Sequence, residues 1–132
     1  FRTVLNYPST KIFHNAMYDV CFIRAAGLKI NGTIVDTMIA GSLVDENRFR
    51  YDLGSMGRDY LGRGKNEAIL NETAAIWGVD AKSEMYKLPA MYVGEYAEQD
   101  AALTLKLWQK MKQEIEHQDI QSIFDLETEL FP

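Results

Sequence analysis

Cysteine is nearly absent. Cys21 is the only one, so no internal disulfide can form. Its neighbours Val20, Phe22 and Ile23 mark it as a small core residue, a usage that fits a reducing cytoplasm. Positive charge is also short: 14 Lys and Arg face 19 Asp and Glu, for a net charge of −5. That balance excludes a broad basic surface for duplex nucleic acid. It suits a protein that holds few phosphates in a site where metal ions supply the positive charge. No apolar run approaches the ~20 residues of a membrane helix, and no signal-peptide pattern opens the chain. An initiating methionine is missing too, and the last residues, 122–132, read as an apolar-periodic helix without a closing cap. A piece of a longer protein is expected.

What is present is enough for one folded domain. The 132 residues are 47% hydrophobic and 11% aromatic, which supports a hydrophobic core. No internal repeat or low-complexity segment interrupts them.

After the Pro8-Ser9-Thr10 turn, residues 11–14 form a short apolar stretch that predicts a strand. Ala16, Val20, Ile23 and Gly27 then fall in helical register, with Asn15 as N-cap and Gly27 as the stop. Asn31-Gly32 signals a turn, and β-branched residues 33–35 predict a second strand. Strand, helix, strand at this spacing is a right-handed βαβ unit with parallel strands.

Helices follow. Asp36 is placed to N-cap residues 38–44. Leu53, Met56, Tyr60 and Leu61 share a helical face, as do Ile69, Leu70, Ala74 and Trp77 before Gly78. Residues 85–89 read as a connector. A long helix is predicted from about 94 to 117, with Tyr96, Leu103, Leu107, Trp108, Met111 and Ile115 on or near one face. Trp77 and Trp108 are expected in the core. Two strands and five or six helices make a mostly helical α/β fold whose sheet should continue in further strands.

Two spacings carry chemistry. Tyr96 and Asp100 are four apart on a helix and share a face. Asp100 can ligate a divalent cation, and the Tyr96 hydroxyl can orient a water bound to it. Asn15 and Asp19 are also four apart, on a helix that leaves the C-terminal end of a strand. Ligands of α/β sheets bind at such ends. The bland readings are a partly solvated Tyr–Asp pair and a capping Asn.

Residues 11–19, which include His14-Asn15-Ala16-Met17-Tyr18-Asp19, followed by Val35-Asp36-Thr37-Met38-Ile39-Ala40, resemble the second motif of the DEDD exonuclease superfamily. Tyr96-Ala97-Glu98-Gln99-Asp100 with Leu103 and Leu107-Trp108 resembles its third motif, in the tyrosine form. The sequence between them is most similar to the 3′-5′ proofreading domain of family A DNA polymerases, phage-type enzymes in particular. This likeness covers residues 11–132 and implies a partial ribonuclease-H-like fold lacking its N-terminal strands. It implies that Asp100 ligates a first metal, that Asp19 serves a second, and that Tyr96 positions the attacking water. Asn15 would hold the 3′-terminal nucleotide. Two Mg²⁺ or Mn²⁺ ions are the implied cofactors. The single-stranded 3′ end of DNA and a polymerase domain of the same parent are the implied partners, in a bacterial or phage-infected cell. Residues 1–118 would form the exonuclease part and residues 119–132 the start of the helix leading toward the polymerase.

One departure stands out. The family's first motif, Asp-x-Glu on an upstream strand, has no counterpart, since the first ten residues contain no acid. Two metals about 3.5–4 Å apart need a fuller anionic cage, so weak metal binding and little turnover are expected of this chain alone. Asp125-Leu126-Glu127 spells the missing motif, but Ile120, Ile123, Phe124, Leu130 and Phe131 follow helical spacing and leave Asp125 outside.

Arg48, Arg50, Arg58, Arg63 and Lys65 cluster between the motifs, interleaved with Glu46, Asp52 and Asp59. They form either a solvated face or a contact surface for a frayed single strand, with Arg48, Arg50, Arg63 and Lys65 on the backbone. The open edge of the first strand predicts self-association, pairing with a remainder outside this sequence, or a rearranged edge. A non-catalytic scaffold beside a polymerase, a stand-alone RNA-processing exonuclease and a helical interaction module are the rival readings.

Overall fold

The structure, a computed structural model, describes residues 2–62, 64–65 and 67–130. Strands β1 (Lys11–Phe13) and β2 (Ile34–Asp36) pair in parallel, with Lys11 opposite Ile34 and Phe13 opposite Asp36. Helix α2 (Ala16–Ala25) is the crossover between them, buried on the Ala16 and Val20 side. The βαβ unit is present as the sequence predicts.

A short helix α1 (Arg2–Asn6) precedes β1 and has no periodic signal in the sequence. It is tied in by Lys11, which is only 9% exposed. The Lys11 ammonium donates to the carbonyls of Tyr7, Ser9 (2.9 Å) and Asn31 (2.7 Å). Three acceptors for three N–H donors make burial of this charge tolerable.

Beyond β2 the described chain is helical: α3 (Thr37–Val44), α4 (Leu53–Leu61), α5 (Ala68–Trp77), a 3-10 turn (Met85–Lys87), α6 (Ala90–Gln118) and α7 (Gln121–Glu129). Helix α6 starts four residues before the expected position, directly after Pro89, a residue type suited to helix starts because its φ is already helical. Its buried stripe of Leu103, Leu107, Met111 and Ile115 meets Val35, Ala40, Leu53, Met56 and Phe124 in the main core. A smaller cluster joins Leu70, Ala74 and Leu88, with Tyr96 packed against it. The whole is a mostly helical α/β arrangement around a short parallel strand pair, as expected of a partial ribonuclease-H-like domain.

Helix α7 packs on α3, α6 and β2, burying Phe124 against Trp108 with ring centroids 5.4 Å apart. Asp125 is exposed and accepts from Gln121 within the same helix (2.8 Å). The helical reading of that Asp-x-Glu is the right one.

Three local expectations are corrected. Asn15 occupies the N-cap position of α2, but with φ 61° and no side-chain cap. Cys21 is exposed, because the inward face of α2 is spent on its immediate neighbour Val20 and on Ala16. Trp77 ends α5 outside the small cluster and is 56% exposed. Among the described residues, no helix is long and apolar enough to cross a membrane.

Candidate functional site

The C-terminal ends of β1 and β2 carry the junction on which the site is built. Asp36, the last residue of β2, is 6% exposed. Its carboxylate accepts the N–H groups of Asn15 (3.0 Å), Ala16 (3.0 Å) and Met38 (2.9 Å). One side chain therefore caps α3 and also pins the start of α2, doing for α2 what Asn15 does not. Parallel pairing causes this, since it sets the ends of β1 and β2 side by side.

His14 fixes a third segment. Its Nε2 lies 2.6 Å from the Tyr51 carbonyl and its Nδ1 2.8 Å from the Thr37 hydroxyl. The loop between α3 and α4 is thereby held against the strand ends. Burial pushes the His14 imidazole below its ordinary pKa, against the pull of the Tyr51 carbonyl and the Asp36 charge.

Above these ends lies an open cleft of about 760 Å³. Asn15 and Asp19 line it from the α2 side, Tyr51 and Asp52 from the loop, and Lys65 and Asp100 from the opposite side. The two acids singled out in the sequence thus face one space. Partial burial, and then the negative charge of Asp36, hold the Asp19 carboxyl above its usual range.

Tyr96 and Asp100 sit one turn apart on α6 and are joined by Lys65. The Lys65 ammonium is 3.1 Å from the Asp100 carboxylate and donates to the Tyr96 hydroxyl at 3.2 Å. Tyr96 in turn donates to Glu67 (3.4 Å). Burial draws the Lys65 ammonium toward neutrality, but hydrogen bonds to Tyr96 and Asp100 outweigh it and leave its pKa raised. Tyr96 is also raised, chiefly by burial. The Lys65–Tyr96–Glu67 chain is not visible in the sequence, because no spacing rule links a loop lysine to a helix 31 positions on.

The basic residues divide. Lys65 is in the cleft. Arg48 is committed within the fold: its guanidinium meets Asp59 at 2.7 Å, donates to the Arg50 carbonyl at 3.1 Å and lies over the Tyr60 ring. Arg50 is exposed in a neighbouring depression. Arg63 lies outside the described residues.

Divalent cations are the cofactors implied for such a site. The donor set fits part of that requirement. Two oxygen-donor carboxylates face one cleft, and a cation, the Lys65 ammonium, already rests on Asp100. Among the described residues, no three acidic, His or Cys side chains converge, so the cage for two ions is not complete in them.

Comparison with known proteins identifies the family. Residues 1–116 match the family model described as 3′-5′ exonuclease. The chain is 33% identical over 120 residues to a DNA-directed DNA polymerase of Pseudomonas phage M6, covering 89% of this chain and 18% of that one. It is 33% identical over 124 residues to DNA polymerase DpoZ of Acinetobacter phage SH-Ab 15497, covering 89% and 20%. DNA polymerase I of Chloroflexus aurantiacus is 26% identical over 121 residues, covering 84% and 11%. The chain spans about a fifth of the length of these phage relatives. With a family model spanning most of its residues, the chain belongs to the 3′-5′ exonuclease family represented in DNA polymerases.

Proposed function

We propose that the cleft is this chain's share of a proofreading site that hydrolyses 3′-terminal nucleotides of single-stranded DNA within a DNA polymerase. The observation that carries the reading is the meeting of Asp19 and Asp100, from α2 and α6, on one cleft at the ends of parallel strands. Asp100 would hold a first divalent cation and Asp19 would serve a second. Such ions, when bound, neutralise the phosphate and supply an ionised water. The chain's own residues do the rest. Tyr96 does not line the cleft itself, but its hydroxyl, held between Lys65 and Glu67, is the group that would orient the attacking water. Asn15, exposed at the cleft wall, holds the terminal nucleotide. Lys65, Arg50 and Arg63 are the candidates for backbone contact, whereas Arg48 is engaged by Asp59 and the Arg50 carbonyl. Mispaired ends fray more readily, so a site that accepts only unpaired strands selects errors.

Residues 119–132 are the beginning of the link toward the polymerase, and the free edge of β1 pairs with another strand, from a second copy where nothing else supplies it. Light scattering checks the latter, and a particle of single-chain mass argues against it. A two-carboxylate cleft binds metal weakly and turns over slowly by itself. The deciding assay therefore uses the full natural polypeptide on 3′-labelled single strands with Mg²⁺. Asp100→Ala should lower cleavage on the order of 10³-fold, the scale of metal-supplied charge stabilisation. Equal rates remove the proposal. The rival, a non-catalytic scaffold, is favoured by one observation, the lysine sitting on Asp100, and the same assay separates the two.

A further inference from the structure

A second depression, of about 380 Å³, lies beside the cleft and is lined by Arg48, Phe49, Arg50, Ser55, Arg58 and Asp59. Phe49 is fully exposed, at 104% of its reference area. A phenylalanine held out between two arginines contributes nothing to the core and leaves both faces of its ring open to a ligand. Its neighbours make a local positive field in an acidic chain. Asp59 offsets Arg48, while Arg50 and Arg58 make no ion pair among the described residues.

The depression adjoins the cleft along the chain: Arg50 lines the depression and the next residue, Tyr51, lines the cleft. Asp52 lines the cleft and accepts the Ser55 N–H (3.1 Å), and Ser55 lines the depression and accepts from Arg58 (3.3 Å). A Cβ placed on Gly54 would lie 3.6 Å from Arg58 Nη1 and 3.8 Å from Lys65 Cγ. Lys65, in the cleft, and Arg58, in the depression, therefore flank the same backbone.

We infer that this depression is a nucleotide-binding subsite for an unpaired strand, in which Phe49 stacks one base and Arg50 and Arg58 take its flanking phosphates. The ligand class is single-stranded polynucleotide. An exposed ring supplies a π-face that every base can use, and adjacent guanidiniums supply the charge that a phosphodiester needs. The inference rests on the exonuclease reading for the direction of the strand, whose 3′ end would lie in the cleft and whose preceding nucleotides would cross Phe49.

Binding of labelled oligothymidylates of two and eight residues, without metal, tests it. Phe49→Ala should weaken the eight-mer on the order of ten-fold, the scale of one lost base stack, and leave the two-mer unchanged. Phe49→Trp should retain binding and show quenched indole fluorescence. Arg50→Gln with Arg58→Gln should reduce the salt slope of eight-mer binding by about 1.4, two phosphates at ~0.7 each. Because Phe49 is exposed, the unfolding midpoint should not move. Equal eight-mer affinity for Phe49→Ala overturns the inference, as does equal weakening of both lengths. Loss of binding in Phe49→Ala together with unchanged cleavage in Asp100→Ala would sink the nuclease reading and leave this subsite standing.

Discussion

The Lys65 ammonium lies 3.1 Å from the Asp100 carboxylate, with both side chains about a quarter exposed. The lysine also holds the Tyr96 hydroxyl, so the two polar groups of the α6 face share one cation. A partly exposed pair of this kind contributes little to folding, about 0–1 kcal/mol. Its consequence is electrostatic. Lys65→Gln should leave the unfolding free energy within about 1 kcal/mol, while the salt slope of single-strand binding falls by about 0.7, one phosphate contact. Titrating a labelled oligonucleotide at four salt concentrations reads both affinity and slope. An unchanged slope would show that Lys65 serves only Asp100 and Tyr96.

Asp36 is the residue whose loss should cost most. Its carboxylate serves three backbone N–H groups at the starts of two helices. Removing one cap costs about 0.5–2 kcal/mol, and here two helix starts lose theirs in a buried setting. Asp36→Ala should destabilise by about 2–4 kcal/mol, read as a lower urea midpoint at constant slope. Asp36 also repels Asp19 and helps raise its pKa, so the Asp19 pKa should fall in a variant that remains folded. Carbon-detected NMR titration of the Asp19 carboxyl measures that shift. A pKa that stays in place would assign the elevation to burial alone.

The sequence discloses elements whose cause is local. Asn31-Gly32 and the β-branched run after it place β2, the apolar stripe of Leu103, Leu107, Met111 and Ile115 places α6, and Asp36 reads correctly as a cap for α3. Its second task, at the start of α2, follows from strand pairing and is legible only once β1 and β2 are set in parallel. Asn15 misleads because the same residue type suits both an N-cap and the left-handed backbone it adopts. Cys21 misleads because apolar neighbours in sequence point to different sides of a helix. The sequence pairs Asp19 with Asp100 as an expectation, and both line one cleft, whereas the bond from Tyr96 to Glu67 depends on where a loop lands.

Gly32 and Gly27 give a paired test of backbone conformation against steric fit. Both have positive φ, at 85° and 80°. A Cβ on Gly27 meets nothing within 4 Å, while one on Gly32 runs into the Ser9 carbonyl and comes within 3.2 Å of the Pro8 carbonyl carbon. Gly27→Ala should therefore cost only the left-handed penalty, about 1–2 kcal/mol. Gly32→Ala adds a backbone collision and should cost clearly more, with the 7–9 turn displaced. Similar urea midpoints for the two variants would mean that the turn yields freely.

His14 should make stability depend on pH in a predictable sense. A carbonyl can only accept, so Nε2 carries the hydrogen toward Tyr51. The Thr37 hydroxyl donates to the Phe13 carbonyl (3.1 Å) and lies 2.8 Å from Nδ1, so while the ring is neutral two acceptors contest its one hydrogen, and protonation turns Nδ1 into a donor to that hydroxyl. Burial makes the charged form costly, and the folded pKa lies below 6.5. The unfolded chain then binds the proton first as pH falls. The stability contributed by neutral His14 is full above about pH 6.5 and declines below it, until the folded pKa is passed. The loss amounts to about 1.4 kcal/mol for each unit of depression. Because carboxylates also titrate in acid, the informative quantity is the difference between wild type and His14→Gln across pH 5 to 8. That difference should shrink as the pH is lowered. A gap that is constant, or that widens toward acid, would show that the imidazole is held charged between Tyr51 and Thr37.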